Sequence, residues 1–446
     1  MFASEIKQFS GFKSQWDVNE EILMDYLIFN LIDHKDDCFF SGVKKLQGSH
    51  NLIYDLDTNK FEITKYYNVT INGNVSRLNE EDTIKLFQDE MNRSIEWRLR
   101  SDVKVGTCLS GGLDSSYIAA LAGIKYQNGQ ERFMAVTARS VDIKHDESDF
   151  AKKVADAGNL NWLVTTPTSA DFISALDKVI YNQEEPFISP SVFMQHFVMK
   201  KAKEGGIVVL LDGQGADEVL LGYPRYLGAY FKTLPPADLA TNILKSKDHF
   251  GMSALSIFKY NLYFTSFSVR YKRNMWNFKA IADKYLDFVD PDMIRKIANS
   301  YKDIKTLQQL ELFSTQLPSL LRFEDKNSMA SSIESRVPFL DWNLVEMSLS
   351  INNQFKIRNG WSKYILRKSM EGSLPDDITW RKKKFGFNAP TSMWFEDFTN
   401  LNAFIHQSTI LNKLFNNKIP DFQDQNIQWR LVNIARWEEL YNMQIN

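Results

Sequence analysis

Leu109-Ser-Gly-Gly-Leu-Asp-Ser-Ser116 follows directly on the apolar run Val103-Lys-Val-Gly-Thr-Cys-Leu109. Adjacent glycines permit positive φ angles and close backbone approach, so Gly111 and Gly112 can aim main-chain amides at an anion. Ser115 and Ser116 can cap the helix that follows and donate hydroxyl hydrogen bonds. Asp114 would repel a bare phosphate, but its carboxylate is suited to a Mg2+ ion that bridges it to phosphates. A bare glycine pair reads equally well as a tight turn before a serine-capped helix; the whole string after an apolar strand reads as a phosphate cradle. No G-x-x-x-x-G-K-[ST] occurs in the chain, so the cradle is not the usual γ-phosphate-transfer loop.

Outward from this stretch the pattern alternates. Helical periodicity runs from Glu80 to Trp97, and β-type runs follow at Val103 to Leu109, Phe133 to Ala138 and Trp162 to Thr165. Helical segments lie between them at Ser116 to Gln127 and Asp149 to Ala157. Ile207-Val-Val-Leu-Leu211 is a further buried strand, an apolar run behind Gly205-Gly206. The pattern predicts an α/β fold with a doubly wound parallel sheet. From Tyr226 onward the chain reads mainly helical, its aromatics belonging to core. Residues 1–75 mix short β-type runs (Cys38 to Phe40, Asn51 to Tyr54, Lys65 to Tyr67) with Gly and Asn turns, a small β-containing piece before a main domain at 76–446.

The 446 residues, 44% hydrophobic, suffice for a large core, and Lys+Arg 53 against Asp+Glu 55 gives no bulk electrostatic case for nucleic acid or an anionic membrane. Cys38 and Cys108 are the only cysteines and lie outside any CxxC spacing, which fits a reducing compartment, with the cytoplasm as the expected location. The N-terminus lacks the apolar core of a signal peptide, and no run approaches the ~18 apolar residues of a membrane span. The six histidines, His34, His50, His145, His196, His249 and His406, form no HExxH or i,i+4 pair and read as packed or surface residues.

The string resembles the pyrophosphate-loop signature of the ATP pyrophosphatases, and much of the chain is similar to the synthetase domain of asparagine synthetase. The likeness rests on Asp146-Glu-Ser148, Glu185-Pro186, Leu211-Asp-Gly-Gln-Gly-Ala-Asp-Glu218 with Gly222-Tyr223, Leu317 to Arg322, Glu324-Asp-Lys-Asn-Ser-Met329, Ile333-Glu-Ser-Arg-Val-Pro-Phe-Leu-Asp341 and Arg381-Lys-Lys-Lys-Phe-Gly-Phe387. Phe2 to Lys7 and Phe40 to Lys44 resemble the end of that family's glutaminase domain.

The resemblance implies ATP and Mg2+ as cofactors, adenylation of a substrate carboxylate with release of pyrophosphate, and attack by ammonia to give an amide. It places Leu109, Ser110, Gly111, Gly112, Asp114, Ser115, Ser116, Val136, Asp212 and Gly213 around the nucleotide. Asp217 follows its strand as Asp114 follows its own, so the two can share the metal; the plainer reading is two turn aspartates solvated separately. Lys383 aligns with a lysine facing the α-phosphate and pyrophosphate, unless Arg381 to Lys384 is a solvated charge run. Glu334 matches an acidic residue near the acceptor, the alternative being a buried ion pair with Arg336.

Two departures qualify the likeness. The family's glutaminase nucleophile is an N-terminal cysteine, and Met1-Phe2 begins near the end of that domain, so ammonia is expected free, as another amine, or from a separate glutaminase subunit. Gln214, the third catalytic candidate, stands where asparagine synthetases commonly carry a glutamate, and an amide cannot take a proton as that base. The acceptor is therefore aspartate or another small-molecule or peptide carboxylate. Rival readings are a cyclase using an amine nucleophile, a tRNA thiolase, disfavoured by the charge and the cysteine spacing, and a non-catalytic subunit.

Overall fold

The computed structural model describes residues 1–445 apart from 127–130, 144–145, 383–388 and 396–397. Lys383 and His145 lie outside the described residues. After a 3-10 turn at Ile6–Gly11 come a two-residue strand, β1 (Trp16–Asp17), then α1 (Glu20–Phe29) and an antiparallel hairpin of β2 (His50–Asp55) and β3 (Lys60–Lys65). α1 was not legible as a helix because it is buried from Ile22 through Phe29, and a segment covered on all sides carries no 3.6-residue alternation. Cys38 to Phe40 forms no strand, only a single bridge from Phe40 to Val18. β1 pairs in parallel with Met443–Gln444, and α1 shares one hydrophobic core with the C-terminal helix Gln425–Tyr441. Trp394, Trp429 and Trp437 are sealed in that core, as the sequence's aromatic content anticipates.

The central sheet is built from α2 (Glu80–Arg98), β4 (Val105–Cys108), α3 (Leu113–Lys125), β5 (Met134–Ala138), α4 (Ser148–Ala157), β6 (Asn161–Thr165), α5 (Ser169–Gln183), α6 (Ser191–Glu204), β7 (Val209–Leu211), the single turn α7 (Ala216–Val219) and β8 (Glu334–Arg336). All its pairs are parallel, in the order β6-β5-β4-β7-β8. Alternation along the strands divides the side chains between two faces: Val105, Ala135, Val209 and Leu211 pack with α2, α3 and α4, while Met134, Val136 and Leu210 pack with Val198, Met199 and Ala202 of α6. Helices thus cover both faces, as the alternation predicts.

Two local departures matter for the site. α3 begins at Leu113, with Gly112 as its N-cap and no side-chain cap, so Ser115 and Ser116 lie inside the first turn rather than capping it. Of the glycine pair only Gly111 takes a positive φ, +76°; Gly112 sits at −76°. A β-carbon at Gly111 would stand 2.7 Å from Ala151 N and 2.8 Å from Glu147 O, so this glycine lets the loop press against the start of α4.

Candidate active site

The chain runs β4, β5, β6 outward in one direction and then returns to place β7 on the other side of β4. This reversal is where open α/β sheets form a crevice at the carboxyl ends of their strands. The loops leaving β4 and β7 meet there: a β-carbon on Gly213 would lie 3.2 Å from Asp114 Cβ and 3.3 Å from Ser115 N. A cavity of about 570 Å3 opens beside them. Leu109, Ser110, Asp114, Ser115, Val136, Asp212, Gly213, Gln214 and Asp217 line it.

Within the first loop, Ser115 Oγ accepts from Ser110 N at 3.1 Å and donates to Gly112 O at 3.2 Å, and the Ser110 and Ser115 hydroxyls stand 3.0 Å apart. Gly112 N donates in turn to Ser110 Oγ at 3.3 Å, so the serine hydroxyls hold the turn together from within. Ser116 Oγ is buried without a hydrogen-bond partner, while Gly111 and Gly112 shape the loop from behind the cavity wall. Asp114 occupies the first turn of α3, where the helix dipole favours a negative charge.

Asp114 and Asp217 come together as their parallel positions suggest, and a cation joins them. Lys363 Nζ donates to Asp114 Oδ1 and Oδ2 at 2.8 and 2.7 Å and pairs with Asp217 Oδ1 at 2.6 Å. Its backbone is held in the left-handed region at φ +52°, just before the helix Tyr364–Ser369, a conformation that costs about 1–2 kcal/mol for a residue with a side chain. Gly222 makes the arrangement fit, since a β-carbon there would fall 1.9 Å from Asp217 Oδ1 and 2.2 Å from Lys363 Cε.

A Mg2+ ion suits these donors. Among the described residues no group of three His, Cys, Asp or Glu side chains forms a metal cage, but Mg2+ takes one or two carboxylates and completes its shell with water and substrate phosphates. The ammonium between Asp114 and Asp217 shows that a cation fits there.

Further cations surround the cavity. Arg367 lines it, donating to Ser362 O at 3.0 Å and Thr379 O at 2.6 Å; burial lowers it to about 10, so it stays charged at neutral pH. Arg381 reaches Gly111 O at 3.3 Å, pairs with Glu147, and lies 3.8 Å over the Phe150 ring. Lys382 also lines the wall.

Deeper in, Gln214 N donates to Asp212 Oδ1 at 3.1 Å, and its side chain meets Glu324. Burial, reinforced by Asp212, pushes the Glu324 carboxyl well above its usual range. Tyr223, on the cavity wall, donates its Oη to the buried Glu218 Oε1 at 2.8 Å, and burial beside Asp217 raises Glu218 to about 7.

Glu334 stands apart from this assembly. It lies at the amino end of β8, opposite Val209 in register, is exposed, and pairs with Arg336 at 2.6 Å. The alternation of β8 turns its neighbour Ser335 inward to Glu324 instead. His249 lines the cavity and stacks on Trp361 with ring centroids 3.7 Å apart.

The model of the asparagine synthase family matches residues 86–428. The chain belongs to the asparagine synthase family. It is 26% identical over 469 residues to the glutamine-hydrolysing asparagine synthetase 1 of Bacillus subtilis, an alignment covering 98% of this chain and 72% of that protein. It is 28% identical over 315 residues to a putative glutamine-hydrolysing asparagine synthetase of Mycobacterium tuberculosis, covering 68% of this chain and 47% of that one. Asparagine synthetase 3 of Bacillus subtilis gives 28% over 368 residues, 77% of this chain and 54% of the relative. The chain thus spans about half the length of the latter two. Among solved structures, an NH3-dependent NAD synthetase from Campylobacter jejuni aligns over 50% of this chain and 96% of its own, at 16% identity and a TM-score of 0.24.

Lys363 and Arg367 are charged cavity residues to which the sequence reading gave no role. Lys363 follows the Asn359-Gly360 turn with no flanking signature, and only the fold brings it to residues about 150 and 250 positions away.

Proposed function

We propose that this asparagine synthase family member is an ATP- and Mg2+-dependent amide-forming ligase that adenylates a carboxylate, releases pyrophosphate and passes the acyl group to ammonia or another amine. The observation carrying this reading is the pair of strand-end carboxylates, Asp114 and Asp217, held around one cation beside the Leu109 to Ser116 loop. A carboxylate oxygen is a poor leaving group, and adenylation replaces it with a phosphate ester anion. The site's task is to neutralise charge developing between the α- and β-phosphates.

In this reading the amides and hydroxyls of Ser110 to Ser115 receive the pyrophosphate portion, and Asp114 and Asp217 are the residues that would hold Mg2+. Bound there, the metal would polarise the phosphoryl oxygens and offset their charge. Arg367, Arg381 and Lys382 supply fixed positive charge around the same space, and Lys383 is proposed to join them. Val136, Asp212 and Gly213 wall the nucleotide, and the Gln214 amide orients the acceptor without serving as base. Glu334, separated from the cavity, receives no role.

Turnover is expected to yield AMP and pyrophosphate. Pyrophosphate release from ATP, screened over small-molecule and peptide carboxylates with ammonium present, tests this and identifies the acceptor. ADP and inorganic phosphate as products would overturn it.

The amine is expected to come from outside this chain. Burial pushes the Cys38 thiol up to about 12, and burial with Asp212 pushes Cys108 well above its usual value, so neither supplies a thiolate at neutral pH. Glutamine alone should leave the purified 446-residue chain inactive while ammonium supports it. Glutamate formed from glutamine by this chain would contradict the expectation.

A further inference from the structure

Lys363 is buried to 5% side-chain exposure between two carboxylates that the preceding reading assigns to a metal. An ammonium that contacts three carboxylate oxygens at 2.6–2.8 Å satisfies its three donors and balances the charge that would otherwise drive the aspartates apart. A metal ion coordinated by the same oxygens cannot share that point with Nζ, so the two cations exclude each other.

From this geometry we infer that Lys363 is a positioning residue with two stations: it holds Asp114 and Asp217 together until a phosphate-bound metal arrives, then yields the carboxylates and turns its ammonium toward the phosphates. The inference rests on the ligase reading for the identity of the phosphates, not for the competition itself.

Three features of the chain favour this exchange. The flexible four-carbon stem of lysine lets Nζ move while the backbone stays fixed, which arginine's planar fork would resist. The backbone of Lys363 is strained at φ +52°, and that of Leu221, next to Gly222, at φ +56°, so both sides of the pairing are held by local conformations the surrounding fold imposes. Gly222 leaves space only because it has no β-carbon, and that space is filled by the Asp217 carboxylate and the Lys363 stem together. The consequence is selective loading. Free Mg2+ must evict a well-satisfied ammonium with no compensation, whereas a metal carrying phosphates brings the anion on which the displaced ammonium can settle.

The test compares wild type with Lys363→Met in Mn2+ titrations followed by electron paramagnetic resonance, and in thermal unfolding with EDTA or Mg2+, all without nucleotide. Lys363→Met should bind Mn2+ at least ~10-fold more tightly than wild type and gain a Mg2+-dependent rise in Tm that wild type lacks, because no ammonium competes for the carboxylates. Lys363→Arg, keeping a cation, should behave nearer to wild type. Equal Mn2+ affinity in wild type and Lys363→Met, or weaker binding in the variant, overturns the inference. Should Lys363→Met fail to fold, wild type alone decides: binding of Mn2+ without phosphates tighter than about 1 mM counts against it, and binding that tightens by at least ~10-fold on adding an ATP analogue, after allowing for metal–nucleotide association in solution, supports it. Neither readout needs turnover, so pyrophosphate release can fail while the exchange stands, and the reverse.

Discussion

Asp217→Asn is expected to lower turnover by at least ~100-fold at a fixed Mg2+ concentration and to raise the Mg2+ needed for half-maximal rate, because in the proposed function it removes one of the two carboxylates that would hold the metal. Asp114→Asn should do the same. The fold should survive either change: Lys363 keeps one of its two partners in each variant, 2.7 Å from Asp114 or 2.6 Å from Asp217, so neither leaves a buried ammonium alone. Rates measured across a Mg2+ titration, with circular dichroism as the control for folding, decide the matter. A variant with wild-type Mg2+ dependence would show that the two carboxylates do not share a metal.

Gly222→Ala should be nearly as damaging to activity although it alters no charged group. The new methyl would sit 1.9 Å from Asp217 Oδ1 and 2.2 Å from Lys363 Cε, well inside contact distance, so the carboxylate and the lysine stem must both withdraw. Overpacking of this kind costs about 1–3 kcal/mol in stability, and displacing a metal-binding carboxylate by an ångström or so should cost on the order of 100-fold in rate. Gly73→Ala is the matched control, since a β-carbon there meets nothing within 4 Å. Unchanged turnover in Gly222→Ala would mean that the Asp217–Lys363 pair is not part of the working site.

Much of the fold is legible along the chain because a parallel sheet announces itself locally. Its strands are short apolar runs buried on both faces and its helices carry a 3.6-residue pattern, so β4, β5, β6 and β7 emerge within two residues of their expected ends. Errors fall where local pattern is weak. β8 has three residues, too few to show alternation, and α1 is buried on every side from Ile22 to Phe29. The start of α3 was read three residues late because serine is a favoured cap, whereas here Gly112 takes that place and the serines bond within the turn.

The glycine–serine loop from Leu109 to Ser116, the two strand-end aspartates and the parallel sheet that presents them are legible along the chain, since each is written in contiguous residues whose conformational preferences act locally. Only packing across the fold settles which cation joins those aspartates, that Gly222 must lack a side chain, and that Glu334 lies exposed beside Arg336 while Ser335 turns to the buried Glu324. The reason is physical: a lysine's charge acts over a few ångströms, and what lies within that distance of Lys363 is fixed by strand order and helix packing across some 250 residues of chain, which no local propensity encodes.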